Sequence, residues 1–183
     1  MNPNDVFKEI DVMFNSAKAE EYLGEDITLV EHMVQCADLA ASDDAPNWLI
    51  VAALLHDVGH MLVNDAQEAQ DAGEDRHHDE IGAEWIAQRF PNNVVEAVRL
   101  HVDAKKFLVA TDSEYFKKLS EASRLTLRIQ GGALTAEQCD RFLELPFARE
   151  AIQLRLWDDA AKVRGKTNTS LERFRAAVES QAI

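Results

Sequence analysis

The chain has 183 residues, 46% of them hydrophobic and 28% charged, with a formal net charge of -14. That length holds one domain with a sizeable core, and the acidic balance argues against nucleic acid or an anionic membrane as partner, because both are held by clustered lysine and arginine. The longest apolar run, Trp48 to Leu55, is too short for a membrane span; the first turns carry Asp5, Glu9 and Asp11 and no signal-peptide pattern; and Cys36 and Cys139 set no disulfide framework, so a cytoplasmic protein with reduced thiols is expected.

Seven glycines and four prolines are few for this length, which favours long helices over many short strands. Apolar residues at helical spacing predict a first helix over 5–15, with Asn4 as cap, then a loop at Tyr22-Leu23-Gly24-Glu25. A second helix is expected over 27–42 and a third from Pro46 to about Gly59, proline being favoured in a first turn. Residues 64–76 are polar and irregular and read as a surface loop. Further helices are expected over 79–90, 92–104, 112–130, 135–145, 147–164 and 169–180, with Pro91, Gly131-Gly132 and Pro146 as punctuation. The sequence therefore predicts an all-α protein, one helical bundle over residues 1–183.

All six histidines lie in the first 101 residues: His32, His56, His60, His77, His78 and His101. His56-Asp57-Val58-Gly59-His60 directly follows the apolar stretch Trp48 to Leu55. On a helix, His56 and His60 share a face about 6 Å apart, and Asp57 projects about 100° away. A carboxylate there has two oxygens and can ligate two metals at once. His32 sits within the second helix, His78 begins a later one, His101 lies late in the next, and Asp158 follows Trp157 near the other end of the chain. Crossing helices can aim all of these into one cavity. Four imidazoles and two carboxylates, without thiolate, suit iron, manganese, zinc or cobalt. His77 and His78 are adjacent, as are Asp158 and Asp159, and one of each pair is expected to ligate.

His32, the His56-Asp57 doublet and Asp158 resemble the H…HD…D signature of the HD-domain superfamily, and His78 and His101 are what its dinuclear members add. The resemblance narrows with Tyr22 and Glu25, the run Ala53 to His60, His101-Val102-Asp103-Ala104-Lys105, Ser123 to Leu127 with Gln130-Gly131-Gly132, and Arg155-Leu156-Trp157-Asp158. This order is similar to that of the PhnZ-type organophosphonate oxygenases, mixed-valent diiron HD proteins that cleave a carbon–phosphorus bond with dioxygen.

The resemblance implies a single HD domain with two iron ions, Fe(II) and Fe(III), and O2 as co-substrate. His32, His56, Asp57 and Asp158 would hold one iron, and His78 and His101 the other, with Asp57 bridging. Of the adjacent pairs, the resemblance implies His78 and, after Arg155-Leu156-Trp157, Asp158, leaving His77 a solvated neighbour. Tyr22 would be a displaceable ligand that swings out with Glu25. Glu25, His60, Lys105, Ser123 and Arg155 would contact substrate, with Tyr22, Glu25, His60 and Lys105 serving catalysis. The implied substrate is a small 1-hydroxy-2-aminoethylphosphonate or its N-trimethyl analogue, giving inorganic phosphate and glycine or glycine betaine. Its hydroxyl would come from a separate 2-oxoglutarate-dependent hydroxylase. The alternative is a metal-dependent HD-family phosphohydrolase acting on a nucleotide or phosphate monoester through a metal-bound hydroxide. A third reading, a non-catalytic ligand-sensing module, has less use for so full a ligand set.

Overall fold

The structure is a computed structural model that describes residues 2–22, 24–63, 72–165 and 168–183. Every regular element among them is helical. In chain order these are α1 (Pro3–Phe14), a 3-10 turn (Ala17–Glu20), α2 (Leu29–Ser42), α3 (Asn47–Leu55), α4 (Val58–Leu62), α5 (His78–Ile86), α6 (Asn92–Arg99), α7 (His101–Thr111), α8 (Tyr115–Lys118), α9 (Glu121–Ile129), α10 (Ala136–Glu144), α11 (Ala148–Ala160), a second 3-10 turn (Glu172–Phe174) and α12 (Arg175–Gln181). None of the described helices is long and apolar enough to cross a membrane.

The hub is α3. Its sequence, NWLIVAALL, is apolar on every side, as expected of a helix surrounded by others. It packs against α2, α6, α11 and α12, and Val51, Ala52, Ala53, Leu54 and Leu55 are fully buried in the main core. Each large aliphatic side chain buried in this way contributes roughly 1.5–3 kcal/mol relative to exposure. Around the hub, α2 starts with a reciprocal capping box between Thr28 and Glu31, which satisfies two otherwise unpaired amide donors. It was not read from the sequence. At α1 the capping side chain is that of Asn2, which accepts from the Asn4 amide, so the cap falls two residues earlier than expected.

Three expected long helices are broken. The third stops at Leu55, Asp57 takes φ -104° and ψ 12°, and the chain restarts as α4. The 92–104 segment turns at Leu100 and continues as α7 to Thr111. The 112–130 segment divides into α8 and α9, where Ser120 accepts from the Ser123 amide and caps α9. The 64–76 loop lies partly outside the described residues. Each break lies within three residues of a candidate site residue: Asp57, His101 and Ser123.

The approach of α4 to α5 depends on Gly59. A Cβ there would lie 1.9 Å from the His78 carbonyl oxygen. Gly82 on α5 faces back, its notional Cβ 3.2 Å from the Gly59 nitrogen. At Gly59 nothing larger than hydrogen fits against the α5 backbone without a shift, and this close approach accompanies that of His78 to Asp57.

Candidate metal centre and substrate cleft

The break at Asp57 places its carboxylate between two pairs of histidines. Oδ2 lies 3.4 Å from His56 Nε2 and 3.6 Å from His32 Nε2, whereas Oδ1 lies 3.4 Å from His78 Nε2 and 3.6 Å from His101 Nε2. Within each pair the Nε2 atoms are 3.2 Å apart. Asp158 belongs to the first pair, 3.2 Å from His32 and 3.9 Å from His56. Two donor groups result, His32–His56–Asp57 and Asp57–His78–His101, each able to hold a metal ion.

The rings are oriented for this. His32 Nδ1 is 2.9 Å from the Ala161 carbonyl, His56 Nδ1 is 2.9 Å from the Ala53 carbonyl, and His101 Nδ1 is 2.6 Å from the Val98 carbonyl. A carbonyl only accepts, so each Nδ1 carries the proton and donates it, and each Nε2 turns a lone pair to the centre. Burial keeps His101 neutral, its pKa pushed down to about 4. Burial, reinforced by His60, holds His78 well below the usual histidine range. Burial also lowers His56, but Asp57 and Cys36 outweigh it and favour a proton on that ring; a cation would compete for the same Nε2. Burial by itself would raise Asp158, yet Arg155 outweighs it and keeps the carboxyl well below the usual range. These are buried nitrogen and oxygen donors with oriented outer partners, which fits one or two divalent or trivalent metal ions.

The structure separates the ambiguous pairs. His78 is buried in the centre, while His77 is exposed in left-handed backbone, φ 51°, with its ring 3.5 Å from Asp75. Asp159 pairs with Arg155 and accepts the Tyr115 hydroxyl, so Asp158 alone of the two reaches the histidines. His60 does not lie alongside His56. The break in the helix turns it onto His78, ring centroids 4.1 Å apart and nearly parallel. Its buried Nδ1 has no hydrogen-bond partner among the described residues.

Above the centre opens a cleft of about 620 Å³, including its mouth, lined by Tyr22, Glu25, His60, Lys105, Ser123 and Arg155 among others. The five residues expected to contact substrate, Glu25, His60, Lys105, Ser123 and Arg155, therefore share one wall system, with Tyr22, expected as a displaceable metal ligand, beside them. Tyr22 sits at the mouth, 58% exposed, rather than among the buried histidines. Lys105 is buried and donates to Thr126 Oγ1 at 3.0 Å; burial first, and Arg155 second, push its pKa down to about 7. Arg155 is held by Asp158 at 2.7 Å, by Asp159 and by the Tyr115 hydroxyl at 3.1 Å, and reaches Ser123 Oγ at 3.4 Å. Sequence reasoning missed Thr126, Tyr115 and above all Lys162, whose Nζ bonds Glu25 at 2.6 Å and Ser123 at 2.9 Å. Its spacing four residues after Asp158 was the available signal.

Comparison with known proteins agrees with this geometry. The HD domain family pattern matches residues 29–159. A [1-hydroxy-2-(trimethylamino)ethyl]phosphonate dioxygenase (glycine-betaine-forming) of Leisingera caerulea is 42% identical over 162 residues, covering 88% of this chain and 83% of the relative. A hydroxymethylphosphonate dioxygenase of Gimesia maris is 38% identical over 162 residues, 88% of this chain and 81% of the relative. An uncharacterized protein, L432, of Acanthamoeba polyphaga mimivirus is 31% identical over 180 residues. The chain belongs to the HD-domain family, in the group that includes these phosphonate dioxygenases.

Proposed function

We propose that the chain, read as one HD domain, is a diiron oxygenase that cleaves the carbon–phosphorus bond of a small 1-hydroxyphosphonate with dioxygen. The observation that carries this is one carboxylate shared by two histidine pairs, beneath a wall of cations and hydroxyls. The reaction converts R–CH(OH)–PO3 dianion and O2 into a carboxylate, inorganic phosphate and one proton, with both oxygen atoms retained in the products. The relatives' substrates carry either a trimethylamino group or no substituent; the candidates here are hydroxymethylphosphonate and 1-hydroxy-2-aminoethylphosphonate or its N-trimethyl analogue. The last two would yield glycine or glycine betaine. A separate 2-oxoglutarate-dependent hydroxylase would install the hydroxyl.

His32, His56, Asp57 and Asp158 would hold one iron, and Asp57, His78 and His101 the other. The pair supplies a docking point for the substrate's oxygens and the electrons that activate O2. The protein's own part is positioning. Arg155, immobilised by two aspartates and Tyr115, presents a fixed planar donor to the phosphonate. Lys105 becomes fully charged when a dianion arrives beside it. Ser123 contributes a hydroxyl, and the unpaired Nδ1 of His60 a further donor or acceptor. Together these fix the C–H of the hydroxyl-bearing carbon toward the metals. Tyr22, now at the mouth, would turn inward as a displaceable metal ligand until substrate enters.

The test is anaerobic incubation of iron-loaded protein with each candidate phosphonate, followed by oxygen, reading phosphate by phosphorus NMR and the metals by EPR. Phosphate should appear only after oxygen. Release without oxygen, or with zinc in place of iron, overturns the oxygenase in favour of a phosphohydrolase.

A further inference from the structure

Lys162 follows α11, and its backbone is pinned on both sides. The preceding carbonyl, of Ala161, accepts from His32 Nδ1 at 2.9 Å. The following residue, Val163, exchanges two hydrogen bonds with the Gln35 side chain, each 3.0 Å. Only the lysine side chain is left to choose its partners. In the free cleft its ammonium bonds Glu25 Oε1 at 2.6 Å, Ser123 Oγ at 2.9 Å and Ser120 Oγ at 3.3 Å. Ser123 Oγ in turn receives Arg155 at 3.4 Å. An oxyanion that reaches Ser123 and Arg155 is therefore one hydrogen bond from Lys162 as well.

The geometry points to Lys162 as a partner-exchanging cation: it holds Glu25 while the cleft is free and passes to the phosphonate when substrate binds, releasing the Glu25 carboxylate to a cationic group on the next carbon. This rests on the phosphonate reading above. Both side chains are mostly enclosed, with 18% and 21% of the side-chain surface exposed, so stranding either charge is costly. A zwitterionic hydroxyphosphonate replaces one ion pair by two. Hydroxymethylphosphonate gives Lys162 a new anion but leaves Glu25 with the Ser120 hydroxyl alone, 2.6 Å away. Lys162 thereby selects 1-hydroxyphosphonates with an ammonium on the second carbon over those without.

Calorimetric binding of methylphosphonate, which has no tail, to the metal-loaded protein tests the exchange without turnover. Lys162→Gln should weaken binding about tenfold, the range for a hydrogen bond to a charged group. Glu25→Gln should strengthen it, because the lysine no longer has to leave a carboxylate. In the double variant that gain should vanish, which measures the coupling directly. Lys162→Arg keeps the charge and should bind methylphosphonate well, guarding against a folding artefact in the glutamine variant. Wild-type binding by Lys162→Gln, or an equal gain from Glu25→Gln with and without the lysine, overturns the proposal. In turnover, Glu25→Gln should lower kcat/KM for the aminated substrate relative to hydroxymethylphosphonate. A coupled cycle without oxygen-dependent turnover refutes the oxygenase and leaves the exchange standing; turnover with an uncoupled cycle does the reverse.

Discussion

Replacing Gly59 by alanine should strip the second metal selectively. The new Cβ would lie 1.9 Å from the His78 carbonyl oxygen, 2.7 Å from its carbon and 2.9 Å from its Cα. Carbon–oxygen contacts relax only near ~3.3 Å, so the first turn of α5 must retreat by more than an ångström. The contact is with backbone, and no side-chain rotation relieves it. Overpacking of this kind costs about 1–3 kcal/mol, while alanine in a helix recovers about 1 kcal/mol over glycine. Stability should therefore fall only modestly. Metal geometry is far less forgiving, because ligand distances tolerate about 0.2 Å. His78 leaves Asp57 Oδ1, now 3.4 Å from its Nε2, and affinity at that half should drop by at least the roughly 10–100-fold seen when a supporting contact is lost. His32, His56 and Asp158 lie away from α5 and keep their arrangement. The assay is metal content after dialysis against a graded chelator, alongside thermal unfolding. The expected result is one tightly held metal per chain and a fall of a few degrees in Tm. Two metals held with wild-type affinity would refute the reasoning.

Other outcomes follow from the same geometry. Asp57→Asn should weaken both metals together and abolish turnover, whereas His101→Ala should lose one; metal titration separates them. His77→Ala should leave metal content unchanged and His78→Ala should not, because only the second ring is in the centre. Lys105, with a pKa near 7 in the free cleft, must take up a proton when it meets a dianion above that pH. Phosphonate affinity should thus fall by up to about tenfold per pH unit above pH 7, and Lys105→Arg, charged throughout, should flatten that limb of the pH profile. Tyr22→Phe should raise oxygen consumption without substrate; an unchanged rate in an oxygen electrode counts against a gating tyrosine.

Most of the helices were legible because the apolar spacing and the proline and glycine punctuation are local signals. The breaks were less legible. Nothing in His56-Asp57-Val58-Gly59-His60 announces that the helix stops at Leu55, nor that the backbone of α5 comes up against Gly59 just beyond the break. A continuous helix would put His60 beside His56, and the break stacks it on His78 instead. At Ser120 a signal did exist, a serine three residues before its bonded amide, but the apolar pattern on either side masked it. The six buried or half-buried donors, His32, His56, Asp57, His78, His101 and Asp158, were readable as types and spacings, and the structure brings them together. For Lys162 the spacing from Asp158 was the one local signal; its bond to Glu25, and that of the neighbouring Val163 to Gln35, join segments more than a hundred residues apart.

The hydrogen bond from His32 to the Ala161 carbonyl spans 129 residues. Closing so long a loop is entropically unfavourable and forms late relative to local helices. During synthesis, α2 and α3 can pair as soon as they emerge, yet His32 has no fixed tautomer until the end of α11 has docked. The helix that carries His101, α7, also packs against α11, so both histidine pairs depend on the docking of that one late helix. Its arrival completes the centre in a single step, and a ribosome-stalled chain that ends before Ala148 should hold no metal with the affinity of the full chain.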